Sequence, residues 1–289
     1  MGEEPATRGG ARQGLPAAPV LYNAKSSMSS PPFQLRALGF CGADDSVPPG
    51  LLQVLSSDCP KIEWGVLFRP DKEATPRYAS MAWVHELARI NKESSSAMKL
   101  AAHLCGSRCQ EVLEGDFQFV QNLSQLGFGR VQINATAANN VQVAQDRLTD
   151  YAENLRSCMF GVPTVEWIFQ LNDETRGIWN ALCTQELPLN VNVLFDASCG
   201  LGVLATEYPA PLSTPREVPS GYAGGIGPDN ISNVLRSVAH AAQGKPVWID
   251  MESSLRENAS DKMFPVPRDV FSIRKCFDCV LALRAFESS

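Results

Sequence analysis

No apolar run in this 289-residue chain approaches the roughly 20 residues that a membrane-spanning helix needs, so no membrane partner is expected. Basic residues do not predominate either. Lys and Arg number 25 against 31 Asp and Glu, a net charge of −6, which excludes the general basic field that holds nucleic acid. The nine cysteines, an odd number, lack paired spacing. Cys276 and Cys279 lie inside the apolar-periodic stretch 270–286, and Cys105-x3-Cys109 has no second pair nearby. A structural zinc site needs about four ligands, usually as two close pairs, so no metal is expected. Unpaired thiols fit a reducing, cytoplasmic setting. No Gly-x-Gly-x-x-Gly follows the first apolar run, which disfavours a doubly wound dinucleotide fold, and no cofactor is expected.

What is present is alternation. Residues 1–32 are rich in Gly, Pro, Ala and Ser without an apolar period and read as a disordered tail. From residue 33 to 289, short apolar runs alternate with helical patterns. Strands are expected at 35–41, 62–68, 99–104, 130–133, 164–169 and 192–195, with two more ending near Gly224 and Glu252. Between them the spacing predicts helices at 48–55, 81–90, 108–113, 117–126, 141–156 and 174–183, then from Ile231 and over 268–286. Asp45 and Ser46 are placed to cap the first of these and Ser80 the second. Eight strand–helix units in about 255 residues predict a single (β/α)8 TIM barrel, which typically takes roughly 250.

In such a barrel the active site gathers at the C-terminal ends of the strands. Here those ends carry Cys41 with Asp44 and Asp45, Arg69 and Arg77, His103 with Cys105, Gln132 with Asn134, Gln170 with Asn172, and Asp196. The seventh is Gly221-Tyr-Ala-Gly224-Gly225-Ile-Gly-Pro-Asp-Asn230, running into the helical pattern Ile231, Val234, Leu235, Val238. A glycine turn before a helix leaves backbone N–H groups unpaired, and the helix dipole favours an anion there. The eighth, Pro246-Val-Trp-Ile-Asp250-Met-Glu252-Ser253-Ser254, ends in hydroxyls. Adjacent glycine-rich and serine-rich ends are how these barrels hold phosphate, so Gly224, Gly225, Ser253 and Ser254 are expected to bind a phosphorylated small molecule. Of Asp250 and Glu252, one is expected to face away from the site. His85 and His240 fall on outer helices and read as structural or solvated.

Six motifs in order carry a resemblance: Phe40-Cys41-Gly42, Trp64–Phe68 through Thr75-Pro-Arg77-Tyr78, Val131-Gln-Ile133, Phe195-Asp196-Ala197, Ala223-Gly224-Gly225 and Asp250–Ser254. Over residues 35–256 the chain resembles phosphoribosylanthranilate isomerase of tryptophan biosynthesis, and more closely its uncharacterised isomerase-like relatives. The resemblance implies acid/base chemistry on a phosphorylated amino-sugar without a cofactor. Cys41 would be the general base and Asp196 the general acid. Arg77 would pair with a substrate carboxylate. From their strand-end positions, His103 (which the family lacks), Asn134 and Asp250 are expected to bind the substrate.

The departures imply a changed substrate. The family's lysine two residues before the cysteine is Gly39 here, and its histidine after strand four is Asn134. A threonine after the aspartate is missing from Cys199-Gly-Leu-Gly202, and Arg256 follows Ser253-Ser254-Leu255. The leading expectation is an isomerase or lyase of a phosphorylated sugar-like molecule. A non-catalytic barrel that senses a phosphorylated metabolite is the alternative. A third reading, a metal-dependent enzyme using His103, Asp250 and Asp44, is the least favoured.

Overall fold

Strand β2 (Ile62–Phe68) is buried at every residue, and its neighbours β1 (Leu35–Cys41) and β3 (Lys99–Leu104) at nearly every one. Strands covered on both faces read as continuous apolar runs, the signature of a parallel sheet inside a shell of helices. The computed structural model describes Met1, 32–260 and 268–289. The tail expected at 1–32 therefore lies, apart from Met1 and Pro32, outside the described residues.

The sheet continues through β4 (Arg130–Ile133), β5 (Glu166–Leu171), β6 (Val191–Phe195), β7 (Ser220–Tyr222) and β8 (Val247–Met251). All pairings are parallel, and β8 returns to β1 with Leu38 opposite Ile249, closing an eight-stranded barrel. The chain is a TIM barrel. Helices α1 (Pro49–Asp58), α2 (Met81–Glu93), α3 (Ser107–Leu113), α4 (Gln118–Gln125), α5 (Leu148–Gly161), α6 (Arg176–Leu182), α7 (Ile231–Ala242) and α8 (Ile273–Glu287) form the outer layer. Each buries one apolar stripe. In α7 it is Ile231, Val234, Leu235, Val238 and Ala242, at the spacing of one helix face.

Near the strand N-termini the barrel interior is plugged by an ion pair and an indole. Arg130 Nη1 lies 2.7 Å from Glu63 Oε1, and its guanidinium stacks 4.1 Å above the Trp248 ring. A Cβ on Gly221 would fall 2.1 Å from that indole, so only glycine fits beside Trp248 on the adjoining strand. Among the described residues no helix is long and apolar enough to cross a membrane, and all nine cysteines are free.

Several local readings are corrected. The helix expected over 141–156 starts at Leu148, because Ala137–Asn139 and Gln145–Arg147 form 3-10 turns first. β5 starts two residues later than expected, after Pro163 and Thr164. Arg268–Phe271 is a strand, β10, that pairs antiparallel with β9 (Arg256–Ala259), so the last helix starts only at Ile273, capped by Ser272. Pro48, not Asp45 or Ser46, precedes α1 without a side-chain cap. Asp45 instead accepts from the backbone N–H and hydroxyl of Ser80, which does cap α2. The sixth strand has no helix at all: 196–219 is irregular.

Candidate active site

The C-terminal strand ends enclose a cavity of about 410 Å³. Arg77, His103, Asn134, Asp196, Gly224, Gly225, Asp250, Ser253 and Ser254 all line it. Of the expected site residues only Cys41 does not. It is fully buried at the end of β1, with Sγ 3.2 Å from His103 Nδ1.

Two glycines make this contact possible. A Cβ on Gly65 of β2 would lie 3.0 Å from Cys41 Sγ, between β1 and β3. A Cβ on Gly39 of β1 would lie 2.5 Å from Asp250 Oδ1. Removing both side chains lets a thiol, an imidazole and a carboxyl from three strands converge, with their ligand atoms all within 4.8 Å of one another. Burial and the Arg130 charge push His103 down to about 3. Burial, then Asp250 and Glu252, push the Cys41 thiol well up. Burial, then Glu63 and Glu252, push the Asp250 carboxyl well above the usual range.

Asp196 stands across the mouth. It follows β6, opposite β2 in the eight-stranded ring, and its Oδ1 is 3.2 Å from where a Gly224 Cβ would lie. Its Oδ1 accepts from Ser198 N–H at 3.1 Å and Oγ at 2.6 Å; Oδ2 accepts from Gln170 Nε2 at 2.6 Å and Gly200 N–H at 2.9 Å. The carboxylate is thus fixed by the turn that follows β6. Asn134 accepts from Gln132 Nε2 at 2.7 Å and donates to Cys105 Sγ at 3.5 Å.

The glycine turn has two tasks. Gly224 and Gly225 take φ of 99° and 61°, and segment 202–204 packs directly on them. A Cβ on Gly225 would sit 2.4 Å from Leu204 N, so close approach of the β6 segment by itself requires glycine. At the same time the N–H groups of Gly224, Gly225 and Ile226 find no acceptor among the described residues. Ser254 Oγ donates to Ile226 O, joining the two strand ends. Arg77, in a left-handed conformation at φ 79°, has Nη1 3.1 Å from Ser253 Oγ and 3.2 Å from Glu252 Oε1. It therefore stands at the glycine–serine end of the cavity rather than at the opposite end.

Asp250 and Glu252 both line the cavity, against the expectation that one would turn away. They are two residues apart at the end of β8, and residues i and i+2 share a strand face. Asp44 belongs elsewhere: it accepts from Arg256, Ser46 and the Arg77 backbone. His85 and His240 are exposed on α2 and α7, as expected. The Ser198 hydroxyl and the gaps at Gly39 and Gly65 were not singled out from the sequence.

No protein-family model and no curated protein matches the chain. Among solved structures it is similar to TrpF from Jonesia denitrificans at 13% identity, over 86% of this chain and 97% of that one, with a TM-score of 0.44. A GH113 β-1,4-mannanase matches at 8% identity, over 89% and 99%, with a TM-score of 0.47. An enolase of the mandelate racemase subgroup from Agrobacterium tumefaciens matches at 10% identity, over 77% and 56%, with a TM-score of 0.41. Values at this level carry no activity from those proteins to this chain.

Proposed function

We propose that this barrel is an isomerase- or lyase-type enzyme acting on a phosphorylated sugar-like small molecule. The observation that carries the reading is an anion-binding turn and an acid/base set in one cavity. At one end three consecutive N–H groups, from Gly224 to Ile226, are without acceptors beside Ser253, Ser254 and the Arg77 guanidinium. Beside them stands Asp196, whose Oδ1 is 3.2 Å from where a Gly224 Cβ would lie, and the Cys41–His103–Asp250 cluster occupies the β1, β3 and β8 side.

A phosphate group at the first end would take the free N–H groups and compete with Glu252 for Arg77. That anchor holds the sugar carbons between β6 and the cluster, and such positioning is a large part of rate enhancement. Asp196, held by four donors, transfers the proton. The cluster polarises the substrate oxygen on which charge develops. Cys41 is assigned to this polarising side rather than to proton abstraction, because its thiol is sealed from the cavity behind His103.

Thermal unfolding against a panel of aldose, ketose and N-aryl aminosugar phosphates tests the reading. A ligand at 100 times its Kd stabilises by about 2.7 kcal/mol, a shift of a few degrees for a domain of this size. Ser253→Asp adds a negative charge beside Arg77 at an exposed position and is expected to abolish that shift. With a binding compound in hand, Asp196→Asn is expected to lower turnover by about 100-fold or more. Binding without turnover would favour the non-catalytic sensor. No shift with any phosphorylated compound would sink the phosphate site.

A further inference from the structure

We propose that Cys41, His103 and Asp250 hold a divalent cation of the zinc class, with an open coordination position facing the cavity. The inference deepens the reading above by naming what polarises the substrate oxygen, and it rests on that reading only for the ion's role. Three protein ligands with a remaining position for water or substrate is the pattern of catalytic rather than structural zinc.

The geometry is near what such an ion needs. Zn–S of about 2.3 Å and Zn–N of about 2.0 Å put sulfur and nitrogen roughly 3.5 Å apart in a tetrahedron. Cys41 Sγ and His103 Nδ1 stand at 3.2 Å, so a few tenths of an ångström of opening suffice. The three ligand atoms lie within 4.8 Å of one another, and what remains to close lies on the Asp250 side. Two backbone positions make the convergence possible. A Cβ at Gly39 would strike Asp250 Oδ1 at 2.5 Å, and one at Gly65 would crowd Cys41 Sγ at 3.0 Å. The mixed sulfur, nitrogen and oxygen set suits zinc; magnesium and calcium take oxygen. A thiolate and a carboxylate together neutralise a dication, and the two protons they give up pass to solvent. Asp44, the third ligand of the metal-dependent reading from sequence, is excluded from this role by its buried pair with Arg256. Cys41 stands in its place.

Full-length protein, stripped with a chelator and dialysed, would be titrated with Co²⁺ and then Zn²⁺ without any substrate. The expected result is saturation at one Co²⁺ per chain, with the near-ultraviolet sulfur-to-cobalt charge-transfer band, and displacement of the colour by Zn²⁺. Cys41→Ser is expected to lose that band. Asp250→Asn is expected to keep it while affinity falls at least tenfold. Absence of saturable binding to the wild-type chain would overturn the inference, as would a charge-transfer band that survives in Cys41→Ser, which would place the ion on another cysteine. Unfolding curves of the two variants show whether each folds, and the wild-type titration decides the matter if Cys41→Ser does not. Metal binding is read without phosphate and the thermal panel is repeated on metal-free protein, so either proposal can fail alone.

Discussion

Replacing Arg256 by methionine is expected to destabilise the barrel by about 3–5 kcal/mol, the usual consequence of removing one partner of a buried ion pair. Its Nη2 lies 2.8 Å from Asp44 Oδ2, with both side chains nearly sealed at 3% and 4% exposure. Nε reaches Asp269 Oδ1 at 2.7 Å, and Nη1 donates to Gly42 O at 2.8 Å. One guanidinium therefore ties the β9–β10 hairpin to the turn after β1. Without it Asp44 retains the Ser46 donors and the Arg77 N–H, and a carboxylate in a closed site loses the Arg256 cation. Denaturant midpoints at unchanged slope measure the loss. The double variant Asp44→Asn with Arg256→Met removes both charges and is expected to recover part of it. A loss below about 1 kcal/mol for Arg256→Met would show that the pair contributes no more than a surface one. Because Asp44 also holds the Arg77 backbone, the single variant is expected to weaken phosphate binding as well.

Trp248→Ala is expected to cost a similar amount, about 3–5 kcal/mol, through a different mechanism. The indole is 1% exposed and packs with Ala37, Ile168 and Leu194 inside the barrel. Its loss leaves a cavity that eight hydrogen-bonded strands cannot collapse into. It also removes the ring on which Arg130 rests, and among the described residues Arg130 Nη2 has no hydrogen-bond partner to fall back on. Gly221→Ala alone is expected to destabilise by about 1–3 kcal/mol, because its methyl would enter the space of the indole. In the Trp248→Ala background the same methyl fills empty space. The two changes should therefore fail to add, with a coupling of about 1 kcal/mol or more in urea unfolding. Simple additivity would mean that the plug relaxes freely.

The barrel was legible in the sequence because the parallel strands are buried on both faces, read as short and mostly apolar runs, and are bounded by polar or glycine turns. β1 to β4 fall where the runs Leu35–Cys41, Ile62–Phe68, Lys99–Leu104 and Arg130–Ile133 placed them. The misses share a cause. Val141 looks like the first apolar residue of a helix, but it is buried as a loop residue ahead of Leu148. Arg268–Phe271 continues the apolar period of the last helix, yet pairs with Arg256–Ala259 through contacts no local pattern records. The strand-end rule brought together nine cavity-lining residues and left Cys41 just beneath them. What the sequence could not show was the importance of Gly39 and Gly65. Their role depends on which side chains stand opposite across the ring, a matter of register between strands far apart in the chain.

The missing helix after β6 has a consequence for how the molecule opens. In its place 196–219 covers β6 and β7 with an aromatic set: Tyr222 stacks on Phe195 at 5.6 Å, and Tyr208 meets it edge-on at 5.5 Å. From 203 to 211 no backbone N–H finds an acceptor among the described residues. Amide hydrogens held by no internal bond exchange with solvent without waiting for the barrel to unfold. Deuterium labelled into the native protein should thus enter this sector first, long before β1 to β4. Because Gly202 and Leu204 pack on the glycine pair, a fluctuation there loosens the wall of the cavity beside Gly224 and Gly225. The anion-binding turn is thus backed by a sector of the ring that has no helix behind it, and its stiffness is that sector's rather than the barrel's.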